Sequence, residues 1–279
     1  MRQLKLLTRL VVLTSLITSA TAMAEPAAVA APVAKPAPPA LLASQKAFIE
    51  QTMHTYLLAH PEILMEMSQK LQAKQQQEVL DKAAKVIPAN VKILAHDAQS
   101  PVTGNAMGAV TVVQFFDYQC PHCKAMVPII DGLVLANKNV RIVYKEMPIF
   151  GPESEFAARA ALAANKQGKY TAFHHALMKT DGRLSNQQVL DIAKSVGIDT
   201  NKMQAVMNSA DISKELKETG MLAQLLGLPG TPAFVVLTEQ GTEVNSRFIP
   251  GQTDQAALQQ AINAVSAAAP VKASASVTK

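Results

Sequence analysis

The chain has 279 residues and a formal net charge of +5. Three of the positive charges, Arg2, Lys5 and Arg9, lie in the first 24 residues, which hold no acidic residue, so the remainder is nearly balanced at +2. That balance gives no ground for a nucleic-acid partner, and beyond those residues no segment stays apolar for the roughly 20 residues that a bilayer-spanning helix requires.

Residues 1–24 have the pattern of a cleavable export signal. The basic start is followed by an apolar core over residues 10–17 and by Ala22-Met23-Ala24, a small-x-small cleavage site. An uncleaved anchor is the competing reading, and the short apolar run disfavours it. Residues 25–40 are almost wholly Ala, Pro and Val, with prolines at 26, 32, 36, 38 and 39, a composition that makes an extended, semi-rigid linker.

From Leu41 onward apolar residues recur at helical spacing. Ile49, Met53, Tyr56 and Leu57 share a face, Pro61 restarts the helix, and Leu64, Met67 and Leu71 continue the stripe to a Gln-rich turn at Gln72, Gln75, Gln76 and Gln77. Two helices alone make too small a core to cover such a stripe. Residues 41–90 are therefore expected to be a helical oligomerisation region that pairs with a second copy; packing back onto the following domain is the alternative.

Residues 91–94 have the look of a short strand and residues 100–105 that of a turn. Residues 111–116 form a β-branched and aromatic strand, and a helical pattern starts at Pro121 and carries Met126, Val127, Ile129 and Ile130 to about Ala136. Residues 140–144 give the next strand, which completes a β-α-β unit. One-sided helices follow from Glu153 to about Leu226, with Ser185 capping the helix of Val189, Ile192 and Val196. His174 and His175 fall among them and are expected at the surface or in hydrogen bonds. After residues 227–232 come a strand over 233–237, a turn at Gln240-Gly241, a strand over 243–249 and a helix opened by Thr253. Residues 269–279 have the composition of a disordered tail.

The only two cysteines, Cys120 and Cys123, are separated by Pro121 and His122 at the junction of strand and helix. Pro121 suits the first helical position, which makes Cys120 the N-cap and turns its sulfur toward unpaired backbone N–H groups, donors that favour a thiolate. Two other readings stand beside a cycling dithiol. A structural disulfide across so short a loop would remove little chain entropy. Half of a zinc site would need two more ligands from His54, His60, His96, His174 or His175, of which the adjacent pair His174-His175 diverges on a helix. The redox pair is the reading that the spacing favours, and it requires no metal and no cofactor.

Strand, Cys-x-x-Cys helix, strand, inserted helices, Thr-Pro, hairpin and helix together resemble the DsbA branch of the thioredoxin superfamily over about residues 91–268. The resemblance is carried by Phe115-Phe116-Asp117-Tyr118-Gln119-Cys120-Pro121-His122-Cys123-Lys124, by Tyr144-Lys145-Glu146-Met147-Pro148-Ile149 and by Gly230-Thr231-Pro232-Ala233-Phe234. With its N-terminal helices the chain is similar to the larger DsbA-like proteins of the outer-membrane antigen type and, in layout, to oligomeric periplasmic isomerases. The resemblance implies an α/β thioredoxin fold with an inserted helical bundle at about residues 153–228, preceded by the helical oligomerisation region. It implies that Cys120 is an exposed nucleophile, Cys123 a buried resolving thiol, and Pro121 and His122 the tuning residues. Thr231 and a cis Pro232 would face the disulfide and bind substrate backbone. Gln114 stands where the family usually has a buried Glu, and whether Lys145, Glu146 or a water takes over as proton acceptor is open at this level.

The activity so implied is that of a periplasmic thiol:disulfide oxidoreductase that introduces disulfides into exported, cysteine-containing proteins. The alternative is a dimeric protein-disulfide isomerase or reductase. A DsbB-like membrane partner would recycle the first and a DsbD-like one the second. A surface-exposed binding or chaperone protein is the third reading, and association with the outer membrane is open.

Overall fold

The computed structural model describes residues 42–268, so the expected export signal, the linker over 25–40 and the tail over 269–279 lie outside the described residues. The chain divides into two compact units at Pro61. The first contains helix α1, Ala43–Ala59, which has no buried residue. Its large apolar side chains Phe48, Ile49, Met53, Tyr56, Leu57 and Leu58 are all exposed.

The second unit opens with α2, Glu62–Val86. This helix is uninterrupted: Gln72, Gln75, Gln76 and Gln77 lie inside it and not in a turn, in keeping with glutamine's good helix propensity. Leu64, Met65, Met67 and Leu71 in its first half are exposed, whereas Ala83, Val86 and the following Ile87 pack into a core. The strand expected over residues 91–94 is instead a 3₁₀ turn, Pro88–Asn90, followed by the short helix α3, Val91–Ala95. The burial pattern explains the difference: Leu94 and Ala95 are buried and Val91 half-buried, an i, i+3, i+4 set, while Ile93 points outward.

Five strands form one sheet: β1, Val102–Gly104; β2, Val110–Phe116; β3, Val140–Glu146; β4, Ala233–Thr238; and β5, Ser246–Pro250. Their order is β1-β3-β2-β4-β5, with β2 and β3 parallel and every other pairing antiparallel. Part of the segment expected as a turn therefore supplies an edge strand. The parallel pair needs a crossover, which helix α4, Pro121–Ala136, provides. Every residue of the central strand β2 is buried, so its side chains sort onto two faces by alternation.

Val112, Phe116, Ile142, Tyr144, Phe234 and Val236 face one core together with α4, α5 (Pro152–Asn165), α6 (Tyr170–Met178), α7 (Asn186–Ser195), α8 (Thr200–Val206) and α10 (Gln255–Ala268). The six buried alanines of α5 let its neighbours approach closely. Val113, Phe115, Val143, Val235 and Leu237 face the other core, which is covered by the end of α2, by α3 and by Leu222, Ala223 and Leu226 of α9 (Ala210–Leu226). Gly227, in the left-handed conformation at φ 70°, ends α9 and turns the chain toward β4. The α/β fold with an inserted helical bundle is thus the one expected from the sequence.

The second core also holds a charge cluster. Lys145 is fully buried and donates to Asp97 at 2.9 Å and to Glu215 at 3.3 Å, and the Ser100 hydroxyl donates to Glu215 at 2.7 Å. Burial opposes ionisation of Asp97, but hydrogen bonds with Glu215 and Lys145 outweigh it and hold that carboxyl well below its usual range. Burial, together with Asp97, raises Glu215 to about 7. Removing the lysine would leave the buried Glu215 and the half-buried Asp97 without a counter-charge. Lys145→Met is expected to destabilise the protein by about 3–5 kcal/mol at pH 8. At pH 4.5 the loss should be smaller, because Glu215, whose folded-state value is raised, then carries its proton and only Asp97 is left unpaired. Urea midpoints at the two pH values check this, and an equal loss at both would remove Glu215 from the cluster's energetics.

Candidate active site

β2 runs directly into the Cys-x-x-Cys segment. Its last residue, Phe116, is held by the bond from Met147 N–H to Phe116 O at 2.9 Å. The chain then turns sharply, with Cys120 N–H donating to Asp117 O at 3.1 Å, and α4 begins. Cys120 is the N-cap, in extended conformation with φ −79° and ψ 116°, and Pro121 occupies the first helical turn as the sequence predicts. The Cys120 carbonyl accepts from the N–H groups of Cys123 at 3.1 Å and Lys124 at 3.2 Å.

Both cysteines are free thiols. Cys123 is fully buried, and Cys120 is only 1% exposed, which corrects the expectation of an exposed nucleophile. The reason lies in the loop before β4: the Thr231–Pro232 bond is cis, and Cys120 Sγ donates to the Thr231 carbonyl at 3.3 Å. The residues at the surface are the two between the cysteines, Pro121 and His122. The Thr231 hydroxyl is buried and has no hydrogen-bond partner beside the thiol form of the pair.

The two sulfurs are strongly unequal. A hydrogen bond from the Cys123 thiol is the largest influence on Cys120; burial opposes it, and Thr231 and the backbone N–H groups of Cys123 and His122 reinforce it, so that the Cys120 thiol falls to about 5. The same hydrogen bond, taken from its donor, and burial push Cys123 far above the ordinary thiol range, against a donation from the Asp117 N–H. Near neutral pH the reduced pair is therefore one thiolate and one thiol. The donors that steady the anion are mostly main-chain groups of the first helical turn. The ring of His122 is engaged elsewhere: its Nδ1 lies 2.7 Å from Gln252 Oε1 in the loop between β5 and α10.

Asp117 organises the surrounding loops. It is buried, and its carboxylate accepts from Gln119 N–H at 2.7 Å, Ser154 Oγ at 2.7 Å, Ile149 N–H at 2.7 Å and Phe150 N–H at 3.2 Å. One side chain thus joins the turn before Cys120 to the loop after β3 and the start of α5. The alternation of β3 bears on the question raised by Gln114, which lies on the cysteine face of the sheet. Lys145 is on the opposite face, committed to Asp97 and Glu215, so it is not placed to accept a proton from Cys123. Glu146 is on the cysteine face. Its Oε1 accepts from Tyr118 at 3.0 Å and Tyr170 at 2.8 Å, and its Oε2 is buried without a partner. Burial pushes the Glu146 carboxyl well above the usual range despite these two donors. The Tyr118 hydroxyl also lies 3.1 Å from His174 Nδ1, and burial, with His175 nearby, lowers His174 to about 3. His175 pairs with Asp131 at 3.1 Å.

Sequence reasoning singled out Cys120, Pro121, His122, Cys123, Thr231 and Pro232, and the fold brings these together at one end of the sheet. It missed the parts played by Asp117, Tyr118, Tyr170 and His174 and the reach of Gln252. An acidic residue wedged between an apolar strand and the cysteines was the one local signal available for Asp117. Gln252 is 130 residues from its partner and offers none.

Residues 111–263 match the family model of the DSBA-like thioredoxin domain, and residues 45–78 match that of the copper resistance protein ScsC N-terminal domain. Among solved structures, a thioredoxin-like oxidoreductase from Silicibacter pomeroyi is 46% identical, covers 64% of this chain and 98% of its own, and has a TM-score of 0.60. BcfH from Salmonella enterica Typhimurium is 32% identical over 80% of this chain and 96% of its own, with a TM-score of 0.63. The thiol:disulfide interchange protein DsbA of Burkholderia cepacia is 29% identical over 158 residues, 54% of this chain and 74% of that protein. The chain also matches the sodium/proton antiporter NhaA 1 of Salinispora arenicola at 29% identity over 137 residues, 48% of this chain, but spans only 21% of that protein's length. With a domain model matched over more than half its length and two solved relatives covered almost end to end, the chain belongs to the DsbA-like thioredoxin family.

Proposed function

We propose that the protein is a periplasmic thiol:disulfide oxidoreductase that introduces disulfides into exported proteins, with Cys120 as nucleophile and Cys123 as resolving thiol. The observation that carries this reading is the inequality of the two sulfurs: Cys120 is lowered to about 5 while Cys123 is pushed far up. A group that stabilises only the reduced form draws electrons to it, so its disulfide is a strong oxidant. A substrate thiolate attacks Cys120 of the disulfide form and forms a mixed disulfide. Cys123 leaves with the electron pair and takes up a proton. The second substrate thiolate then attacks the substrate sulfur of the mixed disulfide, and Cys120 departs as a thiolate. The substrate dithiol has become a disulfide, the protein holds one thiolate and one thiol, and one proton has gone to solvent. Thr231 and Pro232 would receive the substrate backbone, in the place where the Thr231 carbonyl now covers Cys120. Pro121 and His122 tune the pair by fixing the first helical turn, with the His122 N–H as a direct donor.

Isomerase or reductase activity is favoured by a separate observation, the exposed apolar faces of α1 and of the first half of α2. Faces of this kind bury well against a second copy of themselves, in the smallest case as a homodimer, and would hold two Cys120 sites at a fixed separation. Recycling falls to a membrane redox partner, DsbB-like for the oxidase and DsbD-like for the isomerase.

Absorbance at 240 nm against pH, compared with Cys120→Ser, should give a Cys120 transition near 5; a transition near the ordinary thiol value of about 8.5 would overturn the strong-oxidant reading. The in-cell thiol state then separates the two activities, with Cys120 trapped mainly as disulfide for an oxidase and mainly reduced for an isomerase. Ile49→Glu combined with Met53→Glu is expected to convert the full chain from an oligomer to a monomer in light scattering while dithiol oxidation continues. A wild-type chain already monomeric at micromolar concentration would eliminate the pairing.

A further inference from the structure

We propose that Gln252 is a positioning residue for the exchange reaction: by accepting from the His122 ring it latches the cysteine turn of α4 to the cis-proline loop and fixes the slot in which a substrate chain meets Cys120. The proposal rests on the oxidoreductase reading, with Cys120 as nucleophile and the substrate backbone received at Thr231 and Pro232.

Three hydrogen bonds close a ring around this slot. Cys120 Sγ donates to Thr231 O at 3.3 Å. The next carbonyl along the chain, that of Pro232, accepts from Gly251 N–H at 2.9 Å. Gly251 precedes Gln252, whose Oε1 lies 2.7 Å from His122 Nδ1, and His122 leads back through Pro121 to Cys120. An amide oxygen only accepts, so Nδ1 carries the shared proton and His122 is the donor. The bond from Gly251 to Pro232 continues the antiparallel ladder of β4 and β5 beyond the pair Ala233 and Pro250. Gly251, at φ 84°, then allows the turn out of that ladder. The sheet therefore sets the backbone of the loop that carries Gln252, and one side chain extends from this fixed base to the cysteine turn.

The three bonds respond differently to the redox state. Cys120 Sγ has a hydrogen to donate only as a thiol, so its link to Thr231 O is absent from the thiolate and from the disulfide. The bonds of Gly251 and Gln252 involve no sulfur and are independent of that state. In the disulfide, the form that meets a substrate thiolate, Gln252 is thus the side chain that still ties the cysteine turn to the cis-proline loop. Both partners of this bond are exposed, so its contribution is that of one solvent-accessible hydrogen bond. It acts on recognition of a chain: a slot already held at its width spares the substrate the cost of ordering two loops. The donors that set the Cys120 thiolate are other groups, chiefly the Cys123 thiol and main-chain N–H groups.

The test compares Gln252→Ala, which removes the acceptor, with Gln252→Glu, which keeps an acceptor oxygen at the same reach, in the full chain and with thermal melts to confirm folding. The second-order rate constant of the disulfide form is measured for a short uncharged peptide carrying two cysteines and for dithiothreitol, a dithiol with no backbone. In the Ala variant the ratio of peptide to dithiothreitol should fall about two- to tenfold, and in the Glu variant it should stay near wild type. In a His122→Ala background, where the latch is already open, Gln252→Ala should change the ratio by less than about twofold. An unchanged ratio in Ala, a Glu variant as low as Ala, or a full additional loss in the His122→Ala background would overturn the latch. Failure of the oxidoreductase reading is distinct, since a wild-type disulfide would then oxidise neither dithiol.

Discussion

The rest of the site depends on two sulfurs, three residues apart on the first turn of α4, sharing a single negative charge. The N-cap position gives Cys120 the main-chain donors that an α-helix leaves unpaired, and the buried Cys123 thiol adds the strongest one. Everything else keeps this inequality in place. Pro121 sets the turn, and Asp117 ties the approach of the chain to two other segments through four hydrogen bonds. None of these groups carries a formal positive charge. The thiolate is stabilised largely by oriented dipoles, which, unlike a mobile surface cation, lose no side-chain entropy in being held.

Much of this was legible in the sequence because its causes are local. A strand that ends in Cys-Pro-x-Cys defines its own N-cap, and Ser185 caps its helix as expected, with the Gln188 N–H on Ser185 Oγ at 3.3 Å. The errors have physical reasons as well. Residues 91–95 are too few for a period of two to be told from a period near four, and the outcome was decided by which of Val91, Ile93 and Leu94 found a core. The exposure of Cys120 was misjudged because its cover comes from a residue 111 positions away. The pairing of Tyr118 and Tyr170 on Glu146 likewise depends on how α6 is laid against the sheet, which no local pattern encodes.

The N-terminal helices show the reverse case, a pattern that is easily read but incomplete within one chain. α1 buries nothing, and the first half of α2 leaves Leu64, Met65, Met67 and Leu71 open, whereas the second half of α2 is an ordinary part of the core through Ala83 and Ile87. The stripe read from the sequence stops at Leu71, short of Ala83 and Ile87, so it marks the uncovered surface and carries no sign of the part of α2 that joins the core.

The lid that the Thr231 carbonyl makes over Cys120 also bears on chemical durability. A thiolate populated at neutral pH is the form that peroxide converts to sulfenic and then to irreversible sulfinic and sulfonic acids. At 1% exposure the Cys120 sulfur meets small dissolved oxidants rarely. The resting shape therefore shields a reactive atom from dissolved oxidants.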